Sequence, residues 1–174
     1  MKIPFHVPYF SGKEQQLVID AIQRGSISGD GFYTKKVKEL LEKMFQVHHV
    51  LLTTSGTHAL ELAVLLTDIQ PGDEVIMPSF TFPSTANAVL LRGGKPVFAE
   101  IEPVTLNLDP EDLDRKITNR TRAVIPVHYA GIGCRMDEIN RVALKHQLTV
   151  IEDAAQGVNA LYRDRYLGTW GDFG

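Results

Sequence analysis

From Val50 onward the chain alternates short, almost wholly apolar runs with segments whose apolar residues recur at helical spacing. Val50-Leu51-Leu52-Thr53, Val75-Ile76-Met77, Pro96 to Ile101, Ala123 to Val127 and Leu148 to Ile151 read as strands. Ala59 to Leu66, Thr85 to Leu91, a segment opened by Asp109-Pro110-Glu111, and Met136 to His146 read as helices. A strand carries apolar residues on both faces when helices cover both, and parallel strands need a crossover between them. The alternation predicts an α/β fold: three layers, with a mostly parallel sheet flanked by helices. Two helices precede this pattern. Ser11-x-x-Glu14 is a capping box, and Leu17, Val18, Ala21 and Ile22 follow it until Gly25 stops the helix. After the polar, glycine-rich stretch from Ser26 to Gly31, the spacing of Val37, Leu40, Leu41, Met44 and Phe45 predicts a second amphipathic helix from about Thr34. The tail from Tyr162 to Gly168 predicts a hairpin that turns at Arg163-Asp164.

Composition narrows the function classes. A chain of 174 residues has room for one core without a metal or disulfide staple. Its 18 basic and 21 acidic residues give a net charge of −3 and are spread along the chain. A dedicated nucleic-acid binder would instead carry a basic face or stripe. Cys134 is the single cysteine, which excludes an intrachain disulfide, and no Cys-x-x-Cys or His-Glu-x-x-His spacing predicts a metal site. The start, Met1 to His6, lacks the charged-then-apolar pattern of a signal peptide. No apolar stretch approaches the roughly 18 residues of a membrane span. A cytoplasmic protein is expected.

In an open parallel sheet, ligands bind outside the carboxyl ends of the strands. Ser55-Gly56-Thr57, between the Val50 run and the Ala59 helix, reads either as a phosphate cradle at a helix N-terminus or as a helix cap with a permissive glycine. Asp153, in Glu152-Asp153-Ala154-Ala155-Gln156, closes a buried strand; it either caps the next turn or pairs with a cation such as a protonated ring nitrogen. Phe82 is either a stacking platform for a flat ring or a core aromatic, and His128 either a proton carrier or a hydrogen-bonded structural histidine. Asp172-Phe173-Gly174 mimics a kinase motif without its companions. Gly131-Ile132-Gly133, with acids about 20 residues on, resembles a dinucleotide fingerprint and keeps a nicotinamide-dependent oxidoreductase with a Rossmann-like domain as the alternative. Met136 stands at its third glycine position, where a side chain obstructs close helix packing.

Taken in order, Ser55-Gly56-Thr57-His58-Ala59-Leu60, Pro71 to Pro78, Thr81-Phe82, Pro126-Val127-His128 and Glu152 to Gln156 resemble the DegT/DnrJ/EryC1/StrS family of sugar-nucleotide aminotransferases. The resemblance implies the large domain of the aspartate aminotransferase fold and pyridoxal 5'-phosphate as cofactor. It implies that Gly56 and Thr57 hold the cofactor phosphate, Phe82 stacks on the ring, Gln156 meets the ring hydroxyl and Asp153 keeps the ring nitrogen protonated. Within the family, Met77 to Ala88 and Val127 to Gly131 are most similar to members that aminate the 4-keto carbon of a dTDP-linked 6-deoxyhexose for surface polysaccharides. Glutamate as amino donor and a homodimer with interfacial sites are implied as well. The family's Schiff-base lysine follows a Ser-Phe segment just beyond Gly174, and none of the lysines present has that context. Residues 1–174 are therefore expected to form the N-terminal part of the cofactor-binding large domain, without the small C-terminal domain and without catalysis of their own.

Overall fold

The computed structural model describes residues 3–4, 7–25 and 27–174. Met1, Lys2, Phe5 and His6 of the expected leaderless start, and Ser26 of the polar stretch, lie outside the described residues. Two compact units divide at Leu52/Thr53.

The first unit holds α1 (Glu14–Gln23) and α2 (Phe32–Phe45). Half of the expected capping box closes. The Glu14 carboxylate accepts from the N–H of Ser11 at 2.6 Å and of Gly12 at 2.9 Å, but the Ser11 hydroxyl also donates to it, at 2.8 Å. The Ser11 hydroxyl oxygen accepts from the Lys13 N–H at 3.3 Å and not from an N–H inside the helix, and α1 starts at Glu14 with Lys13 as its N-cap. Hydrogen bonds from its own backbone and from the Ser11 N–H and hydroxyl hold the Glu14 carboxyl down at about 2. Asp20, on α1, accepts from Arg24 Nε at 2.5 Å and from the Tyr33 hydroxyl of α2 at 2.7 Å. The Arg24 guanidinium lies 4.0 Å from the Phe32 ring centre, where cation–π attraction adds to the clasp. The expected strand at Val50 to Thr53 does not form. An extended segment becomes a strand when a neighbour supplies its N–H and C=O partners; here the Val50 N–H donates to Glu42 Oε1 at 3.2 Å, and Leu51 and Leu52 stay exposed.

The second unit is the α/β body. Its elements are α3 (Gly56–Leu66), β1 (Glu74–Pro78), α4 (Ser84–Leu90), β2 (Lys95–Ala99), α5 (Pro110–Lys116), β3 (Thr121–Val124), α6 (Met136–His146), β4 (Thr149–Val150) and a hairpin of β5 (Leu161–Tyr162) and β6 (Arg165–Tyr166). The main sheet has the order β2-β1-β3-β4, with every pair parallel. Alternate side chains leave opposite faces of a strand. Val75, Met77, Ala123, Ile125 and Ile151 pack with Leu60 and Val64 of α3 and with Ala88 and Val89 of α4. Ile76, Val124 and Val150 pack on the other face with Leu113 of α5 and with Met136 and Ile139 of α6. Two cores, one per face, are the physical content of three layers. Asp109 caps α5 as expected, its Oδ1 accepting from the Glu111 N–H at 2.9 Å. Strands β2, β3 and β4 end earlier than their apolar runs, because beyond them the ladder thins to isolated bridges, Ile101 with Leu108, Val127 with Asp153 and Ile151 with Phe173. The hairpin turns at Arg163, in the left-handed region at φ 52°.

Candidate active site

A cavity of about 430 Å³ opens at the carboxyl ends of the strands, and Gly56, Thr57, Phe82, Asp153 and Gln156 all line it. These residues come from loops up to a hundred positions apart, which the parallel topology delivers to one end of the sheet.

At Gly56 the wall is the start of α3. The Ser55 hydroxyl accepts from the His58 N–H at 3.2 Å and the Ser55 carbonyl from the Ala59 N–H at 3.1 Å. Among the described residues the N–H groups of Gly56 and Thr57 have no protein acceptor. A Cβ built on Gly56 meets only the Ala155 Cβ, at 4.0 Å, so internal packing does not demand a glycine there. Two free donors and open space at a helix N-terminus suit an anion. The Thr57 hydroxyl is 2.7 Å from that of Ser84, which ties α3 to α4.

Asp153 is 8% exposed. Its Oδ2 accepts from the Thr85 hydroxyl at 2.9 Å and its Oδ1 from the Ala155 N–H at 3.3 Å. Gln156 Oε1 accepts from the Ala130 N–H at 2.6 Å, which assigns its amide orientation and leaves the NH₂ as the group it can offer a ligand. Phe82 is 73% exposed and has no ring partner among the described residues, whereas Phe80 packs on Tyr129 at 4.4 Å between ring centres. Phe82 is thus not a core aromatic.

His128 also reaches the cavity wall, but both ring nitrogens are engaged. The Cys134 N–H donates to Nδ1 at 3.1 Å, so the proton sits on Nε2, which donates to Glu152 Oε2 at 2.8 Å. That makes it a structural histidine. Glu152 takes three further donors, the N–H groups of Gly168 at 2.9 Å, Trp170 at 2.5 Å and Gly171 at 2.6 Å. Cys134 is buried, and desolvation pushes its thiol up to about 12. The glycines of the dinucleotide-like motif are explained by packing. A Cβ at Gly131 would lie 3.0 Å from the Gln156 carbonyl oxygen, and one at Gly133 3.0 Å from Tyr162 Cβ. Met136 is buried in a core.

Sequence reading misses Ser84, Thr81 and Thr85 as site residues. The available signal is Thr81 and Thr85 four residues apart across a helix start, with Ser84 beside them.

Over residues 8–174 the chain matches the DegT/DnrJ/EryC1/StrS aminotransferase family. It belongs to that family. It is 40% identical to the GDP-perosamine synthase of Caulobacter vibrioides over 98% of this chain and 46% of that protein. The chain thus spans about half the length of the curated relatives it matches. Among solved structures, the aminotransferase from Psychrobacter cryohalolentis superposes with a TM-score of 0.91 at 32% identity, covering 97% of this chain and 43% of that one. NtdA from Bacillus subtilis, solved with bound cofactor PMP, gives 0.80 at 31% identity over 96% of this chain and 40% of its own. The fold is that of the pyridoxal-phosphate aminotransferases of fold type I. Nothing in these likenesses supports the nicotinamide-dependent alternative. Among the described residues no helix is long and apolar enough to cross a membrane.

Proposed function

We propose that residues 1–174 form the cofactor-holding part of a cytoplasmic sugar-nucleotide aminotransferase that transfers an amino group from glutamate to the 4-keto carbon of a nucleotide-linked 6-deoxyhexose. Family membership and the relatives in PLP and PMP forms indicate pyridoxal 5'-phosphate as the cofactor. When bound, it supplies the electron sink that stabilises a carbanion during transamination. The observation that carries the reading is one cavity wall bearing two unpartnered N–H donors, an exposed unpaired aromatic and a buried carboxylate.

The residues fit that group. The Gly56 and Thr57 N–H groups donate to the phosphate, at the positive end of α3. Phe82 offers its exposed face to the ring. The Gln156 NH₂ donates to the ring hydroxyl oxygen, since its Oε1 is already taken by Ala130. Asp153 would accept a hydrogen bond from the protonated ring nitrogen and so keep it protonated. No lysine is among the residues lining the cavity. On this reading the 174-residue chain retains the cofactor noncovalently and does not turn over alone, because proton movement in transamination needs a positioned amine.

For the nucleotide, the local resemblance favours dTDP, while relatives named GDP-perosamine synthase, at 40% and 35% identity, favour GDP. Competition of dTDP and GDP sugars for the holo-protein separates them. A second copy of the chain is the proposed partner, supported by exposed apolar residues such as Leu17, Val18 and Ile22 of α1; sedimentation velocity tests it. For the cofactor, the purified chain is mixed with pyridoxal phosphate, freed of excess and scanned in the visible range with and without borohydride. The expected result is weak retention and no reduced adduct. A stable adduct at one lysine, or turnover with glutamate and a keto-sugar nucleotide, overturns the noncovalent reading; no retention overturns the cofactor reading.

A further inference from the structure

Thr85 is fully buried, does not line the cavity, and sits 68 residues from the carboxylate it touches. Its single hydroxyl proton goes to Asp153 Oδ2, 2.9 Å away, because an ionised carboxylate only accepts. The Thr85 oxygen must then accept from the Thr81 hydroxyl, 2.8 Å away. Thr81 lies on the cavity wall, so the hydroxyls run as a directed chain from cavity wall to Thr85 to Asp153. Asp153 Oδ1 is held separately by the Ala155 N–H at 3.3 Å. One oxygen is tied to α4 and the other to the loop after Asp153, so the plane of the carboxylate is fixed before any ligand arrives.

We infer that Thr85 is a positioning residue, which with Thr81 behind it locks the one side-chain orientation of Asp153 that presents its carboxylate to the cavity. The importance of that orientation for a ring nitrogen rests on the cofactor reading above; the lock itself does not. The relay has a second consequence. Having spent its proton inward, Thr81 faces the cavity as an acceptor only, so a ligand group meeting it must be an N–H or O–H donor.

The test uses the full chain in three forms: wild type, Thr85→Val, which keeps the shape and removes the hydroxyl, and Thr85→Ser, which keeps the hydroxyl. Without cofactor, three-bond couplings read the Asp153 χ1 angle. A single rotamer in wild type and Ser, and averaging in Val, is the expected result. With pyridoxal phosphate, absorbance titrations are expected to show affinity about tenfold weaker for Val and within about twofold of wild type for Ser, the scale of one lost hydrogen bond to a charged group. The pH midpoint of the bound cofactor's spectrum is expected to move in Val and return in Ser. Unchanged χ1 in Val, or Ser behaving like Val, overturns the relay. Failure of wild type to bind cofactor with the χ1 result intact overturns the cofactor reading and leaves the lock supported. Should Thr85→Val not fold, Thr85→Ala removes the same hydroxyl without adding bulk, and unchanged χ1 there overturns the proposal equally.

Discussion

His128 Nε2 donates to Glu152 Oε2 across 2.8 Å, with both side chains wholly buried. The same carboxylate receives the N–H groups of Gly168, Trp170 and Gly171. One buried anion thus fastens the loop after the hairpin to the core of the sheet. Such a charge is tolerable because four donors replace its water.

Glu152→Gln keeps the shape but turns one acceptor oxygen into an NH₂ facing donors. It is expected to destabilise the chain by about 2–4 kcal/mol, nearly as much as Glu152→Ala, since the loss lies in unmade hydrogen bonds to a charged acceptor. Urea unfolding measures the cost. Amide exchange should also show lost protection at Gly168, Trp170 and Gly171; intact protection there contradicts the assigned role.

Gly56→Ala separates packing from ligand binding. Because a Cβ there meets only Ala155 Cβ at 4.0 Å, stability should stay within about 0.5 kcal/mol of wild type. Pyridoxal phosphate affinity should fall by about tenfold or more, as the methyl group enters the space of a bound phosphate. Equal binding by the variant removes Gly56 from the proposed phosphate cradle.

Gly171→Ala gives the opposite pattern. Its Cβ would lie 2.6 Å from the Val150 carbonyl oxygen and 3.0 Å from Val150 Cγ1, so β4 must shift. A loss of about 1–3 kcal/mol is expected, typical of overpacking. Gly29→Ala, with nothing within 4 Å, is the control and should change the melting temperature little.

Acid should weaken the second unit through Glu74. The Thr118 hydroxyl, 2.6 Å away, and then Lys95 and Arg120 hold its carboxyl below the ordinary value, against the opposing effect of burial. A carboxyl lowered on folding stabilises the folded chain above its unfolded pKa of about 4.3, and that contribution fades as pH drops through the lower folded value. Glu74→Gln should therefore be less stable than wild type at pH 7, and the gap should narrow steadily below about pH 5. A gap that stays constant with pH places its origin in packing instead.

Much of this architecture is legible in the chain because periodicity and capping are local. Met136 to His146 has apolar spacing bounded by acids at one end and Lys145-His146 at the other, and α6 has those limits. Asp109-Pro110-Glu111 announces α5 for the same reason. Val50 to Thr53 is misread because an apolar run states a need for burial without naming a partner strand. At the site, Gly56, Phe82, Asp153 and Gln156 follow strands or open helices, where composition is informative. The bond from Thr85 to Asp153 and the four-donor role of Glu152 cannot be read from local sequence, since these partners meet only once distant loops converge.

Strand β1 sends Val75 and Met77 to one core and Ile76 to the other, and all three are fully buried. A one-residue slip would still bury apolar groups on both sides, so hydrophobicity leaves the alignment of this strand undetermined. What remains to index it is charge: Glu74, 3% exposed at the head of the strand, meets Arg120 at 2.9 Å and Lys95 at 3.3 Å in one alignment. A slipped β1 would carry that buried anion out of this arrangement of partners. The central strand of the sheet is thus greasy along its length and addressed at one end, and the address is written in a single carboxylate.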